Sequence, residues 1–124
     1  MLKVKDVMTK NVVTIKADIP LKDAIRILVG KGISGVPVVD DSGKVTGILS
    51  EKDIMNYMFS GNLSTAVVSE AMTKNVVSMT SETDLDKVAL LISEKKFRRV
   101  PIIDNGKLVG IISRRDIIRS LLSE

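Results

Sequence analysis

The chain has 124 residues, with 19 Lys and Arg against 15 Asp and Glu for a net charge of +4; this length suits one compact domain or two small halves sharing a core. It contains no Cys and no His, which excludes a disulfide framework and a thiolate zinc site and removes the commonest general base and transition-metal ligand. Two Phe and one Tyr leave little for base stacking, no apolar run is long enough to cross a bilayer, and Met1 to Asp6 lacks the apolar core of a signal peptide, so a soluble cytoplasmic protein without membrane insertion is expected.

In chain order, Val4 to Met8 reads as a short helical turn and Val12 to Ile15 as a short strand rich in β-branched residues. A helix follows, with Asp18 as candidate N-cap, an apolar stripe of Leu21, Ala24, Ile25 and Leu28, and Gly32 as its closing residue. Val36-Pro37-Val38-Val39 is a second strand, and its Pro suits an edge or a strand start because it cannot donate to a ladder. Asp40-Asp41-Ser42-Gly43 turns the chain into a third strand, Val45 to Leu49. A last helix begins after Ser50, with Ile54, Met55, Met58 and Phe59 apolar, and Ser60 to Thr65 reads as a connection.

The plan then repeats. Met8-Thr9-Lys10-Asn11-Val12-Val13 returns as Met72-Thr73-Lys74-Asn75-Val76-Val77, an offset of 64. The offset holds through Val36-Pro37 and Val100-Pro101, then becomes 63 after a one-residue deletion in the turn. The second copy has a helical turn at Val68 to Met72, a strand at Val76 to Met79, and a helix with Thr83 and Asp86 as capping pair and Leu85, Val88, Ala89 and Ile92 as its stripe. Val100 to Ile103 and Leu108 to Ile112 form a hairpin around Asn105-Gly106, a strong hairpin signal. The last helix follows Ser113, with Ile117, Ile118, Leu121 and Leu122 apolar. The expected fold is therefore α+β: two β-α-β-β-α repeats at 4–58 and 68–122, joined by a linker at 59–67. One such half is marginal alone. Two related by a pseudo-two-fold axis bury their sheets together with helices outside and create two similar clefts. The apolar final helices suggest a homodimer.

Each repeat ends on one phrase, Gly47-Ile48-Leu49-Ser50-Glu51-Lys52-Asp53-Ile54 and Gly110-Ile111-Ile112-Ser113-Arg114-Arg115-Asp116-Ile117. A hydroxyl and a carboxylate three residues apart at a helix start form a capping box. The same pair can face a phosphate and a ribose, and the spacing leaves both readings open.

Taken together, these motifs resemble a tandem pair of cystathionine-β-synthase-type domains, known as CBS domains or a Bateman module. The marks are Asp6-Val7-Met8-Thr9 and Glu70-Ala71-Met72-Thr73, Gly35-Val36-Pro37-Val38-Val39-Asp40 and Arg99-Val100-Pro101-Ile102-Ile103-Asp104, and the two Gly-to-Asp phrases above. The resemblance covers nearly the whole chain and implies a regulatory binding module rather than an enzyme. It implies an adenosine ligand held in the clefts between the repeats: AMP, ADP or ATP, with S-adenosylmethionine or NAD as further candidates. No other cofactor and no metal is required. With no room for a fused enzyme, a free-standing module would signal to a separate, unidentified target protein.

By that resemblance Asp53 and Asp116 bind ribose, and Ser50 and Ser113 favour a phosphate. Arg98, Arg99, Arg114 and Arg115, all in the second repeat, supply phosphate-binding guanidinium groups. The adenine slot is lined by Val13, Thr14, Ile15, Gly35, Val36 and Pro37 in one half and by Val77, Ser78, Met79, Val100 and Pro101 in the other. Two other readings stand beside this one. The apolar final helices would serve a ligand-independent dimerisation or scaffold module, and the arginine cluster would serve nucleic-acid binding, which the lack of aromatics disfavours. No spacing assembles a nucleophile with a base.

Overall fold

Two short antiparallel hairpins organise the chain, one in each of two compact units, in a computed structural model that describes residues 2–95 and 97–123. The central unit is Val13–Val76 and the terminal unit joins Met1–Val12 to Val77–Glu124. The central unit runs α1 (Leu21–Lys31), β1 (Gly35–Val39), β2 (Val45–Ser50), α2 (Glu51–Met58) and α3 (Val68–Ala71). The terminal unit has a 3-10 turn at Val4–Asp6, then α4 (Leu85–Lys95), β3 (Arg99–Asp104), β4 (Lys107–Ser113), α5 (Arg114–Ser120) and a closing 3-10 turn, Leu121–Ser123. The mixed α+β class expected from the sequence is what the chain adopts.

Both hairpins carry the same register. Gly35 lies opposite Ser50 and Pro37 opposite Ile48, and in the other unit Arg99 lies opposite Ser113 and Pro101 opposite Ile111. Asn105 (φ 52°) and Gly106 (φ 79°) both take left-handed backbone, the demand of a two-residue hairpin turn whose twist matches its strands. The longer turn is held instead by the Asp40 carboxylate, which accepts from the Ser42 hydroxyl and from the backbone N–H of Ser42 and Lys44.

The predicted first strands are not strands. Val12 to Ile15 contributes one parallel bridge, Ile15 to Val38, and Val76 to Met79 one, Met79 to Ile102. The Ile15 N–H donates to the Pro37 carbonyl (3.1 Å) and Ile15 accepts from the Val39 N–H (2.9 Å). The next rung would need the Pro37 N–H to reach the Val13 carbonyl, and proline has none. Pro101 stops the ladder at Val77 in the same way. Two predicted caps also move. The chain enters α1 through Pro20, not Asp18, because Pro20 accepts from Asp23 and Ala24 while the Leu21 N–H goes to the Ala66 carbonyl. Helix α4 starts at Leu85, and the Thr83 hydroxyl meets that of Thr80 rather than Asp86. Gly32 closes α1 in left-handed backbone (φ 66°), as expected.

The central core is built from Ile15, Leu21, Ala24, Leu28, Val36, Val38, Leu49, Ala66 and Val68, and the terminal core from Val4, Val88, Ile92, Val100, Ile102 and Ile112. Burying each larger aliphatic side chain contributes about 1.5–3 kcal/mol. The compact units divide the chain differently from the repeats. Val4, which opens the first repeat, is fully buried in the terminal core, held by Lys3 to Asp84 (2.5 Å), Lys5 to Glu82 (2.6 Å) and the Val4 N–H to the Thr83 carbonyl (2.9 Å). Val68, which opens the second, is fully buried in the central core, its N–H donating to the Ile19 carbonyl (3.0 Å).

Candidate functional site

In each unit the second hairpin strand runs straight into a helix, and the corner between them carries the Ser-x-x-Asp phrase. Ser50 is the N-cap of α2: its hydroxyl accepts from the Asp53 N–H at 3.2 Å, while Asp53 Oδ2 accepts from the Ser50 N–H at 2.9 Å and the Ser50 hydroxyl at 3.0 Å. Ser113 caps α5 likewise, with Asp116 N–H to Ser113 Oγ at 3.1 Å and Ser113 N–H to Asp116 Oδ2 at 2.9 Å. The capping box is therefore realised at both corners. It uses one carboxylate oxygen of each Asp.

The other oxygen faces a threonine. Asp53 Oδ1 accepts from the Thr73 hydroxyl at 2.8 Å, and Asp116 Oδ1 from the Thr9 hydroxyl at 3.4 Å, with Arg119 Nη1 at 3.8 Å. Thr9 and Thr73 were not assigned a role from sequence, although the twice-repeated Met-Thr was the available signal. A two-residue bridge delivers each of them. Thr9 exchanges backbone hydrogen bonds with Ile111 (2.8 and 2.9 Å), and Thr73 with Ile48 (2.9 and 2.9 Å). Glycine makes room for that approach. A Cβ on Gly110 would sit 2.9 Å from the Thr9 carbonyl oxygen and 2.5 Å from Met8 Sδ, and one on Gly47 would sit 2.8 Å from both the Thr73 carbonyl oxygen and Met72 Sδ. Asp116 is 9% exposed and Asp53 is half-buried.

The expected adenine residues divide into two kinds. Ile15, Val36, Pro37, Val100 and Pro101 are buried, and their side chains serve the cores. Thr14, Val77 and Ser78 are exposed, and Val13, Gly35 and Met79 half-buried, so these present surface beside the hairpin. Gly35 lies directly across the ladder from Ser50. Among the phosphate candidates Arg98, Arg114 and Arg115 are exposed and Arg99 is half-buried. All four share the terminal unit with Ser113 and Asp116. Among the described residues no group of three or more Asp and Glu is placed to hold a metal ion, and no helix is long and apolar enough to cross a membrane.

The model of the CBS domain matches residues 4–60 and 68–123. The uncharacterized protein MJ1225 of Methanocaldococcus jannaschii is 30% identical over 121 residues, covering 98% of this chain and 43% of that protein. The L-aspartate semialdehyde sulfurtransferase of the same organism is 33% identical over 117 residues, 94% of this chain but 22% of the enzyme. The chain thus spans less than half the length of these relatives. Among solved structures, CBSX2, a CBS-pair protein of Arabidopsis thaliana, in complex with AMP superposes with a TM-score of 0.91 at 32% identity, covering 99% of this chain and 98% of that one. The CBS domain pair of protein MJ0100 in complex with 5′-methylthioadenosine and S-adenosyl-L-methionine superposes at 0.88 and 31% identity, with 99% and 98% covered.

Proposed function

The chain belongs to the CBS domain family, and from that premise we propose that it is a regulatory module binding an adenine nucleotide of the AMP, ADP or ATP class at its Ser-x-x-Asp corners. The observation that carries this reading is the division of labour within each aspartate. Oδ2 of Asp53 and Asp116 is spent on the helix cap, and among the described residues Oδ1 meets a threonine hydroxyl, with the Arg119 guanidinium also near that of Asp116. A carboxylate has about four lone-pair sites. The cis-hydroxyls of a ribose replace or join that threonine at Oδ1 without breaking the cap. The AMP complex of CBSX2 and the methylthioadenosine and S-adenosylmethionine complex of MJ0100 support an adenosine ligand.

The remaining parts of the nucleotide follow from the same corners. Val13 and Val77 lie where Pro37 and Pro101 interrupt the ladder, so their carbonyls are left to read the adenine edge, with Thr14 and Ser78 beside them. Ser113 and the arginines Arg98, Arg99, Arg114 and Arg115 take phosphate oxygens, and Ser50 holds the place equivalent to Ser113 in the central unit. Binding is transmitted to a separate target protein, and a ligand shifts that signal only by its difference in affinity between the two states.

Thermal melting with AMP, ADP, ATP, S-adenosylmethionine and NAD tests the reading. A ligand at 100 times its Kd adds about 2.7 kcal/mol to stability. The absence of a melting shift with all five rejects it.

A second reading, dimerisation independent of ligand, is favoured by the exposed apolar residues. Met55, Met58 and Phe59 are 59%, 55% and 88% exposed in the central unit, and Ile118, Leu121 and Leu122 are 65%, 62% and 86% exposed in the terminal unit. A homodimer that persists unchanged without nucleotide, in a protein that no nucleotide stabilises, selects this second reading.

A further inference from the structure

The two corners are built alike and charged differently. The Arg114 N–H donates to the Arg98 carbonyl at 3.1 Å, and the Glu51 N–H donates to the Ser34 carbonyl at 3.0 Å. Each bond pins the residue before the first hairpin strand beside the first residue of the helix that follows the hairpin. In the terminal unit the pinned pair is Arg98 and Arg114, flanked by Arg99 and Arg115. In the central unit it is Ser34 and Glu51, flanked by Gly35 and Lys52. The first set carries four positive charges, and the second sums to zero.

The difference extends to whole units. The terminal unit contains 12 Lys and Arg against 8 Asp and Glu, and the central unit 7 against 7. The entire net charge of +4 thus belongs to one unit, and four arginines at one corner account for a charge of that size. Glu51 matters as much as the missing arginines, because a carboxylate at the pinned position repels a phosphate.

We infer that the two corners sort adenosine ligands by charge: the terminal corner takes a phosphorylated adenosine, and the central corner takes an adenosine whose 5′ substituent carries no phosphate. This rests on the ribose reading of Asp116 and Asp53 above. At the terminal corner a 5′-phosphate meets Arg98 and Arg114, whose guanidinium groups offer parallel N–H donors matched to phosphate oxygens. At the central corner the same group would meet Glu51, with Lys52 next to it in sequence. An uncharged or thioether 5′ substituent loses nothing there.

Calorimetric titration of the full chain with AMP and with adenosine, at low salt, tests the assignment. AMP is expected to saturate at one site per chain. Arg98→Ser with Arg114→Glu, which copies the central corner onto the terminal one, weakens AMP by at least about tenfold, the worth of one charge-assisted hydrogen bond. The same double variant leaves adenosine binding within about twofold. Asp116→Ala removes the AMP site and spares adenosine, and Asp53→Ala does the reverse. Ser34→Arg with Glu51→Arg raises the AMP stoichiometry to two. Two equal AMP sites in the unaltered chain, or an unchanged AMP affinity in the Arg98→Ser, Arg114→Glu protein, overturns the sorting while leaving the nucleotide reading intact. Failure of both AMP and adenosine to bind the unaltered chain overturns the nucleotide reading, and the sorting falls with it.

Discussion

At the scale of single residues, one aspartate serves a cap and faces a threonine, and the two corners differ in how firmly that threonine is held. The Thr73 hydroxyl to Asp53 Oδ1 distance is 2.8 Å, whereas Thr9 to Asp116 Oδ1 is 3.4 Å, near the limit of a hydrogen bond. Thr73→Val is therefore expected to cost about 1 kcal/mol and Thr9→Val less than about 0.5 kcal/mol, read as shifts of the urea midpoint. Equal costs would mean that the two distances carry no energetic difference. Ser113→Ala removes the cap acceptor for the Asp116 N–H, so it costs about 1 kcal/mol but keeps the carboxylate for ribose. Half-buried carboxylates make the acid side of the stability profile. The Ser42 hydroxyl holds Asp40, the Lys3 ammonium holds Asp84 and the Ser81 hydroxyl holds Asp104 below the ordinary 3.8. Each binds its proton less readily folded than unfolded. Its contribution is thus present above pH 3.8 and is lost as pH falls through the depressed folded value. Melting temperatures measured from pH 5 down to pH 2 should fall less steeply in Asp104→Asn than in the unaltered chain. Equal slopes would remove Asp104 from the acid transition.

At the scale of elements, the helices, hairpins and turns were legible, and the ladder between them was not. Periodicity found α1 and α4, and Asn105-Gly106 marked its hairpin. The β-branched runs Val12 to Ile15 and Val76 to Met79 read as strands, yet a partner's proline reduces each to one bridge. Composition cannot show this, because the missing donor sits on a different segment. The same limit hid the threonines: Asp53 and Asp116 stand out through the repeated Ser-x-x-Asp phrase and the family resemblance, but Thr73 and Thr9 reach them across 20 and 107 residues. The element that delivers each threonine depends on a glycine. A methyl group at Gly110 meets the Thr9 carbonyl at 2.9 Å, and that carbonyl is fixed by the Ile111 N–H. Met8 can swing away, and the backbone cannot. Gly110→Ala and Gly47→Ala should each destabilise by about 1–3 kcal/mol and weaken adenosine-ligand binding at the same corner. Gly30, within α1, has nothing within 4 Å of its added Cβ, so Gly30→Ala should stabilise by about 0.5–1 kcal/mol. Denaturation of the three variants checks the contrast in sign.

At the scale of the whole molecule, the repeat seen in the sequence and the unit that packs are different segments of chain. The second family match, residues 68–123, excludes Val4, which is fully buried in the core formed with Val88, Ile92, Val100, Ile102 and Ile112. It also excludes Lys3, Lys5 and Thr9, which hold Asp84, Glu82 and Ile111. It includes Val68, whose buried contacts are with the central core. A fragment 68–123 thus lacks one core side chain, worth about 1.5–3 kcal/mol, and strands another in water. Stability on the order of 5–15 kcal/mol for a whole domain leaves a half of this size little to lose. The fragment is expected to show no cooperative unfolding transition by circular dichroism. A rearranged chain in which residues 77–124 lead through a flexible linker into residues 1–12 contains every partner of that core, and it is expected to unfold cooperatively. Both outcomes follow from which residues share a core, since the two polypeptides are close in length and share residues 77–123. A cooperative transition in fragment 68–123, with a midpoint matching that of the rearranged chain, would show instead that the leading segment is dispensable and that the sequence repeat is itself the folding unit.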